Sequence, residues 1–308
     1  MHSLIQQLIA RGPILTDGAW GTELQSRGLG MGEFPDLWNL SHPDKVLEVA
    51  KAYVDAGSEI ILTNTFGANR VRLGSEKSDN QVVAINRAGV EISKEAARDH
   101  ALVFASIGPT GKLLMDEGID LNEIRFAFME QADALASAGA DAFVIETMSD
   151  LAEAKLALEA ARPFGLPVIV SMVFDSGQEK DRTMMGNTPE QVAASLIESG
   201  ADVIGANCGA GIDNFITLCR AFRRATAAPI WIKPNAGLPA ISNGTIHYHV
   251  TSEQFACSVP ALVAAGANLI GGCCGTNPNF IRAIRAGLDQ IQNSVSNPFS
   301  SSTPISPS

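Results

Sequence analysis

Two hydrophobic periods alternate along this chain from end to end. Eight short, nearly continuous apolar runs occupy 14–17, 59–64, 102–106, 142–146, 168–172, 203–208, 230–235 and 268–273. Such runs predict strands buried on both faces. Between them, and after the last, lie Ala-rich amphipathic segments at 43–57, 79–99, 120–138, 151–162, 188–199, 211–225, 251–265 and 277–292. These read as helices. Gly57, Gly139, Gly200 and Gly266 each fall between a helical segment and the next run, where a helix C-cap needs a left-handed residue. Thr188-Pro189-Glu190 and Ser41-His42-Pro43 offer an N-cap with Pro in the first turn.

Eight β–α units in order predict an α/β protein with a closed parallel sheet, a (β/α)8 TIM barrel. A doubly wound open sheet is the competing architecture, but no Gly-x-Gly-x-x-Gly turn follows the first run. The barrel is expected over 1–293. The Ser/Pro/Asn-rich stretch 294–308 has no apolar periodicity and is expected to be a disordered tail.

Composition narrows the function. The chain is 46% hydrophobic and carries 33 acidic against 22 basic residues, a net charge of −11. No basic stripe appears, so nucleic acid is not expected as a partner. No apolar run approaches a membrane span, and no basic-then-apolar leader opens the chain. The expectation is a soluble, cytoplasmic protein in a reducing compartment. There its five cysteines read as metal or catalytic sites rather than disulfides.

In a barrel of this kind the chemistry collects where the strands end. Those ends carry Asp17-Gly18, Thr63-Asn64-Thr65, Ser106, Glu146-Thr147, Asn207-Cys208-Gly209, Lys233-Pro234-Asn235 and Gly271-Gly272-Cys273-Cys274-Gly275-Thr276. Taken alone, the double cysteine reads equally as two small buried hydrophobes or as a metal site. Both thiols reach one point only if the chain leaves extended geometry, which the flanking glycines permit. Cys208 on the same rim changes the balance. Three thiolates from two strands fit a tetrahedral zinc site with an open fourth position. Cys219 and Cys257 fall within helical segments and are expected to pack in the core, and His247 and His249 to lie on a surface loop.

Zinc held by three thiolates is suited to binding and ionising a fourth thiol, which points to thiol alkylation. Asp17 and Glu146 either cap neighbouring helices and pair with nearby cations, or hold a substrate ammonium. The backbone around Asp17 offers N–H groups for a carboxylate. Together these describe a pocket for an amino acid bearing a thiol.

Seven stretches carry a family resemblance: Asp17-Gly18-Ala19-Trp20-Gly21-Thr22, Thr63-Asn64-Thr65-Phe66-Gly67-Ala68-Asn69, Gly108-Pro109-Thr110, Glu146-Thr147-Met148-Ser149-Asp150, Asn207-Cys208-Gly209, Pro234-Asn235-Ala236-Gly237-Leu238-Pro239 and the double-cysteine element. Together, over about 12–292, they resemble the homocysteine S-methyltransferase family. The strongest likeness is to the homocysteine-binding module of cobalamin-dependent methionine synthase. The resemblance implies a zinc barrel that methylates homocysteine to methionine. Cys208, Cys273 and Cys274 would be the zinc ligands, and Asn235 would approach the metal when substrate is absent. Asp17 and Glu146 would hold the substrate amine. Gly18 and Ala19, with Ser106, would meet its carboxylate. No separate protein base is assigned.

The methyl donor is expected to be a small molecule or a separate methyl-corrinoid protein, because the chain stops short of the folate and cobalamin modules. The betaine-using branch has aromatic residues around the strand 4 carboxylate. Here Thr147 and Met148 follow Glu146, which favours S-methylmethionine over betaine. Two alternatives stay open: a methyltransfer subunit of a corrinoid pathway acting on another thiol, and a non-catalytic zinc-binding barrel.

Overall fold

The computed structural model describes residues 1–74, 79–242 and 245–296. Its strands are β1 (Ile14–Leu15), β2 (Ile60–Leu62), β3 (Leu102–Ile107), β4 (Ala142–Met148), β5 (Val168–Met172), β6 (Val203–Cys208), β7 (Ile230–Pro234), β8 (Ala240–Ser242), β9 (Thr245–His247) and β10 (Leu269–Ile270). Eight of them form one parallel sheet in the order β1-β10-β7-β6-β5-β4-β3-β2. A parallel bridge from Thr16 to Ile60, with the Glu59 N–H donating to the Leu15 carbonyl at 2.8 Å, joins the two ends. The sheet is thus a closed (β/α)8 barrel, and β10 is the eighth barrel strand. The hairpin β8–β9, which no hydrophobic pattern announced, is inserted after β7.

Strand parity divides the core in two. Ile14, Ile60, Leu62, Phe104, Ala142, Val144, Ile169, Val203, Trp231 and Leu269 form one buried cluster inside the barrel. The alternate residues, among them Leu15, Ile61, Val103, Phe143, Ile145, Ile204 and Ile232, join a second cluster with the helices. This is the period-2 geometry of a strand covered on both sides. The N-terminal helix Ser3–Ile9 sends Ile5 and Leu8 into the inner cluster, beside residues that begin the strands, and so plugs that end of the barrel. The inner parity continues upward through Ser106, Glu146, Ser171, Asn207 and Lys233, all buried. The barrel therefore changes from apolar to polar along its own axis.

The expected caps are present with one exception. Gly57, Gly139, Gly200 and Gly266 all adopt positive φ. Thr188 forms a complete capping box with Gln191 ahead of the helix Pro189–Glu198. At 41–43, however, His42 holds the cap position of the helix Pro43–Asp55 without a side-chain bond, and Ser41 ends a preceding short helix.

Residues 251–265 are not one helix but two, Ser252–Cys257 and Val259–Ala264, with Pro260 in the first turn of the second. Proline lacks the N–H that would continue the first helix and clashes with its last turn. Cys257 is exposed, on the side opposite buried Phe255, Val259 and Leu262, against the expectation that it packs in the core, whereas Cys219 is buried as expected. The last helix runs over Pro278–Ser296, and the remainder of the expected tail, 297–308, lies outside the described residues. Among the described residues no helix is long and apolar enough to cross a membrane.

Gly205 marks a tight contact between neighbouring strands. A Cβ there would collide with the backbone carbonyl of Trp231 on the neighbouring strand. Gly205→Ala is expected to lose about 1–3 kcal/mol, the usual cost of overpacking. The loss should appear as a lower urea midpoint with an unchanged slope.

Candidate metal centre and substrate pocket

Left-handed backbone at two strand ends accompanies the thiol cluster. Cys208 ends β6 at φ 62, and Thr147 near the end of β4 sits at φ 61 beside a shift in register. Such conformations are costly for residues with a side chain and persist only where neighbours hold them. Asn207 does the holding. Its Oδ1 accepts from the Thr147 N–H at 2.9 Å and from the Ser171 hydroxyl at 2.7 Å. Its Nδ2 donates to Thr147 Oγ1 at 2.7 Å and faces the Cys208 and Cys273 sulfurs at 3.5 and 3.8 Å.

The double cysteine follows β10 directly. Gly271 donates to Ile232 at 3.0 Å, Gly272 to the Asp17 carbonyl at 3.0 Å and Cys273 to Pro234 at 2.8 Å. The loop is thereby laced to β1 on one side and β7 on the other. Gly271 and Gly272 are not left-handed. Glycine is needed at 271 because a Cβ would strike Thr16 and the Asp17 carbonyl. The positive φ comes later, at Gly275, whose Cβ position is filled by the Tyr248 ring.

The Sγ atoms of Cys208, Cys273 and Cys274 all lie within 4.8 Å of one another, and Cys208 and Cys273 are 3.0 Å apart. The three thiols act on one another's acidity. Hydrogen bonds from Cys208 and Cys273 push Cys274 down, and the bonds shared with Cys273 and Cys274 push Cys208 up. Asn235 donates from Nδ2 to the Gly209 carbonyl at 3.0 Å, and its backbone N–H bonds to Cys208. Its Oδ1 is buried and has no hydrogen-bond partner.

Asp17 and Lys233 form a buried ion pair at 2.5 Å, with side chains 0% and 2% exposed. The second Asp17 oxygen accepts from the Leu62 N–H at 2.7 Å and from Trp20 Nε1 at 2.8 Å. Burial alone would lower the lysine pKa, but Asp17 and then Glu146 outweigh it and hold the ammonium charged. Glu146 accepts a short bond from the Ser106 hydroxyl, 2.5 Å. Burial pushes its pKa from 4.5 up to about 7, against the pull of Lys233.

A cavity of about 620 Å3 opens over these groups. Its lining includes Gly18, Ala19, Glu146, Lys233, Tyr248 and all three cysteines, and it extends outward past Phe34, Phe66 and Arg72. Asp17 and Ser106 stand behind the lining, each bonded to a residue that faces the cavity. The Ala19 N–H is already bonded to Thr276 Oγ1 at 3.2 Å. His247 and His249 are exposed, as expected of a surface loop. The residue between them, Tyr248, turns inward.

Lys233, Asn207 and Tyr248 had no role assigned from sequence. Parity identifies the first two, since each continues an inward-facing series on its strand. Nothing local marks Tyr248, which arrives on the inserted hairpin.

The fold and site define a class: a parallel barrel with three thiols converging beside an acid and an ammonium. The chain belongs to the homocysteine S-methyltransferase family, whose model matches residues 14–288. It is 28% identical over 301 residues to methionine synthase from Mycobacterium leprae and 29% over 296 residues to that from Mycobacterium tuberculosis. These matches cover 92% and 90% of the chain, which spans about a quarter of each relative's length (25% and 24%). The metallated form of the homocysteine methyltransferase MmuM from Escherichia coli superposes with a TM-score of 0.77 at 26% identity, over 92% of this chain and 99% of that one. The carboxyl transferase domain of Rhizobium etli pyruvate carboxylase shares the fold, with a TM-score of 0.51 at 16% identity over 96% of this chain and 49% of that one.

A pH effect follows from Glu146. Its folded pKa lies above its unfolded one, so the folded state holds the proton more tightly. That contribution is fully present below pH 4.5 and is lost as the pH rises through about 7. Asp36, raised from 3.8 to about 6 by burial, acts in the same direction. Glu146→Gln removes the first of these penalties and keeps an acceptor for Ser106. In metal-free protein the melting temperature of the variant minus that of the parent should widen between about pH 5 and pH 7.5; a gap that stays constant would contradict the assignment.

Proposed function

We propose that the protein is a zinc-dependent S-methyltransferase that transfers a methyl group to the thiol of L-homocysteine, giving methionine. The observation that carries this reading is the convergence of Cys208, Cys273 and Cys274 within 4.8 Å at the base of a cavity that also presents Glu146. The sulfurs fit the ion. A Zn–S bond of about 2.3 Å in tetrahedral geometry sets sulfur pairs about 3.8 Å apart; the three sulfurs lie within 4.8 Å of one another, and the Cys208–Cys273 pair, 3.0 Å apart, would open slightly to take the ion. Zinc bound there supplies an ionised substrate thiol at neutral pH.

The rest is the work of the chain. Asn207 orients the thiol cluster and offers it an N–H. Asn235, with its unpartnered Oδ1, stands ready as a fourth ligand when no substrate is bound. Glu146 receives the substrate ammonium, and Asp17 adds its charge from behind Lys233. The backbone of Gly18 and Ala19, which line the cavity, meets the substrate carboxylate together with Ser106, which also bonds to Glu146. The outer part of the cavity, toward Phe34 and Phe66, gives a methyl donor access to the thiol. The similarity to one quarter of two methionine synthases supports a second donor reading, in which the methyl group arrives on a separate methyl-corrinoid protein rather than on S-methylmethionine. Reduced thiols suit the cytoplasm.

Purified protein should contain about one zinc per chain. Cys208→Ser should abolish methylation with little change in far-ultraviolet circular dichroism. With homocysteine fixed as acceptor, a panel of S-methylmethionine, betaine and methylcobalamin tests the donor. A metal-free protein that still methylates homocysteine would sink the reading. Asn207→Ala should weaken zinc binding about 10- to 100-fold in chelator competition, the usual cost of losing a group that orients a ligand.

A further inference from the structure

We propose that Thr147 is a positioning residue for the metal centre: turned inward by left-handed backbone, it donates its hydroxyl proton to the Cys208 sulfur and draws charge from that ligand. The assignment rests on the zinc reading above and deepens it.

Strand parity gives the first argument. On β4, Ala142 and Val144 face the barrel interior, and Phe143 and Ile145 face the helices. Extended geometry would therefore send Thr147 to the helices. Instead it sits at φ 61 and lines the cavity beside Cys208. Positive φ is a genuine outlier for a β-branched residue. Among the described residues it occurs at four positions other than glycine, and two of these, Arg98 and Lys180, lie outside the strands. The other two are Thr147 and Cys208, near the ends of β4 and β6, and they bring a hydroxyl and a thiol to 4.0 Å. Lining a cavity does not require this backbone; bringing Oγ1 to the sulfur does.

The placement of hydrogens gives the second. Asn207 Oδ1 accepts from two donors, the Thr147 N–H at 2.9 Å and the Ser171 hydroxyl at 2.7 Å. Its Nδ2 is then the atom that meets Thr147 Oγ1, at 2.7 Å, and an amide nitrogen only donates. The Thr147 oxygen accepts from Asn207, and its single proton is left for another partner. That partner is Cys208 Sγ. A cysteine bound to zinc is a thiolate and can only accept, so in the loaded site Thr147 is the donor.

Charge gives the third. Three thiolates outweigh the charge of a divalent ion, and a substrate thiolate adds to the excess. Hydrogen bonds to the sulfurs draw off part of that charge and leave the ion a better acceptor for the incoming thiol. Asn207 Nδ2 faces Cys208 and Cys273. Thr147 supplies a second donor at Cys208.

The plainer role for Thr147 is to receive Asn207 and wall the cavity. Thr147→Val and Thr147→Ser separate the two. Valine keeps the branched shape and the backbone N–H that holds Asn207 Oδ1, so the amide stays anchored while the hydroxyl is lost. Serine keeps the hydroxyl. The full chain is loaded with Co(II), whose sulfur-to-metal charge-transfer bands report the electron density on the ligand thiolates, and is separately titrated with zinc against a chelator. Thr147→Val should move the charge-transfer band to longer wavelength and weaken zinc binding about tenfold, the low end of the cost of losing a group that supports a ligand. Thr147→Ser should leave the band in place and keep zinc affinity within about threefold of the parent, well short of that cost. An unchanged band in folded Thr147→Val, or the same shift in Thr147→Ser, overturns the assignment. If the valine variant does not fold, Thr147→Ala carries the same two predictions. A parent protein that takes up Co(II) without any sulfur charge-transfer band overturns the underlying zinc reading as well.

Discussion

The buried pair between Asp17 and Lys233 is the interaction on which the upper half of this barrel depends. Asp17 follows β1 and also receives the Leu62 N–H from β2, so one carboxylate ties β1, β2 and β7 together. Between β1 and β7 runs β10, and the loop it delivers is the double cysteine. Burying two charges is expensive, and such a pair is not in itself a source of stability. Its retention at 0% and 2% exposure makes more sense as positioning, because removing either partner would leave the other charge uncompensated next to the three clustered thiols.

That constraint works with a second one, backbone strain. An inner-facing residue on β6 is Asn207, not Cys208, so regular extended geometry would aim the cysteine at the helices. A left-handed residue at the end of the strand re-aims it, and the Asn207 amide braces Cys208 and Thr147 at once. The double cysteine has the same problem, since neighbouring side chains of a strand diverge. The solution is to end the strand at Ile270 and let Gly271 and Gly272 pass close to β1, Thr276 and the Asp17 carbonyl. The three thiols then come from two places in the chain with the flanking backbone hydrogen-bonded to β1 and β7.

The same arrangement explains why the family's chemistry sits well in an acidic protein. A cluster of thiols, Glu146 and Asp17 concentrates negative charge, and Lys233 offsets part of it from beside Asp17. Burial raises the Glu146 pKa to about 7, so this carboxyl is poised between neutral and ionised states and gains a full charge most easily when a cation approaches.

Much of this was legible in the sequence, and for physical reasons. Uninterrupted apolar runs alternating with Ala-rich segments point to a parallel sheet covered on both faces, and eight such units without a Gly-x-Gly-x-x-Gly turn favour the barrel over an open sheet. Position at strand ends then brings Cys208, Cys273, Cys274 and Glu146 to one rim. Tertiary structure alone decided the rest. Pairing of Asp17 with Lys233 joins residues 216 positions apart, and nothing local records it. Tyr248 reaches the pocket on a hairpin whose course depends on what it packs against. Residues 251–265 form two helices because Pro260 breaks a segment whose apolar spacing reads as continuous. Hydrophobic pattern specifies which elements form and which way they face; contacts between charged groups distant in sequence are set only once the barrel has closed.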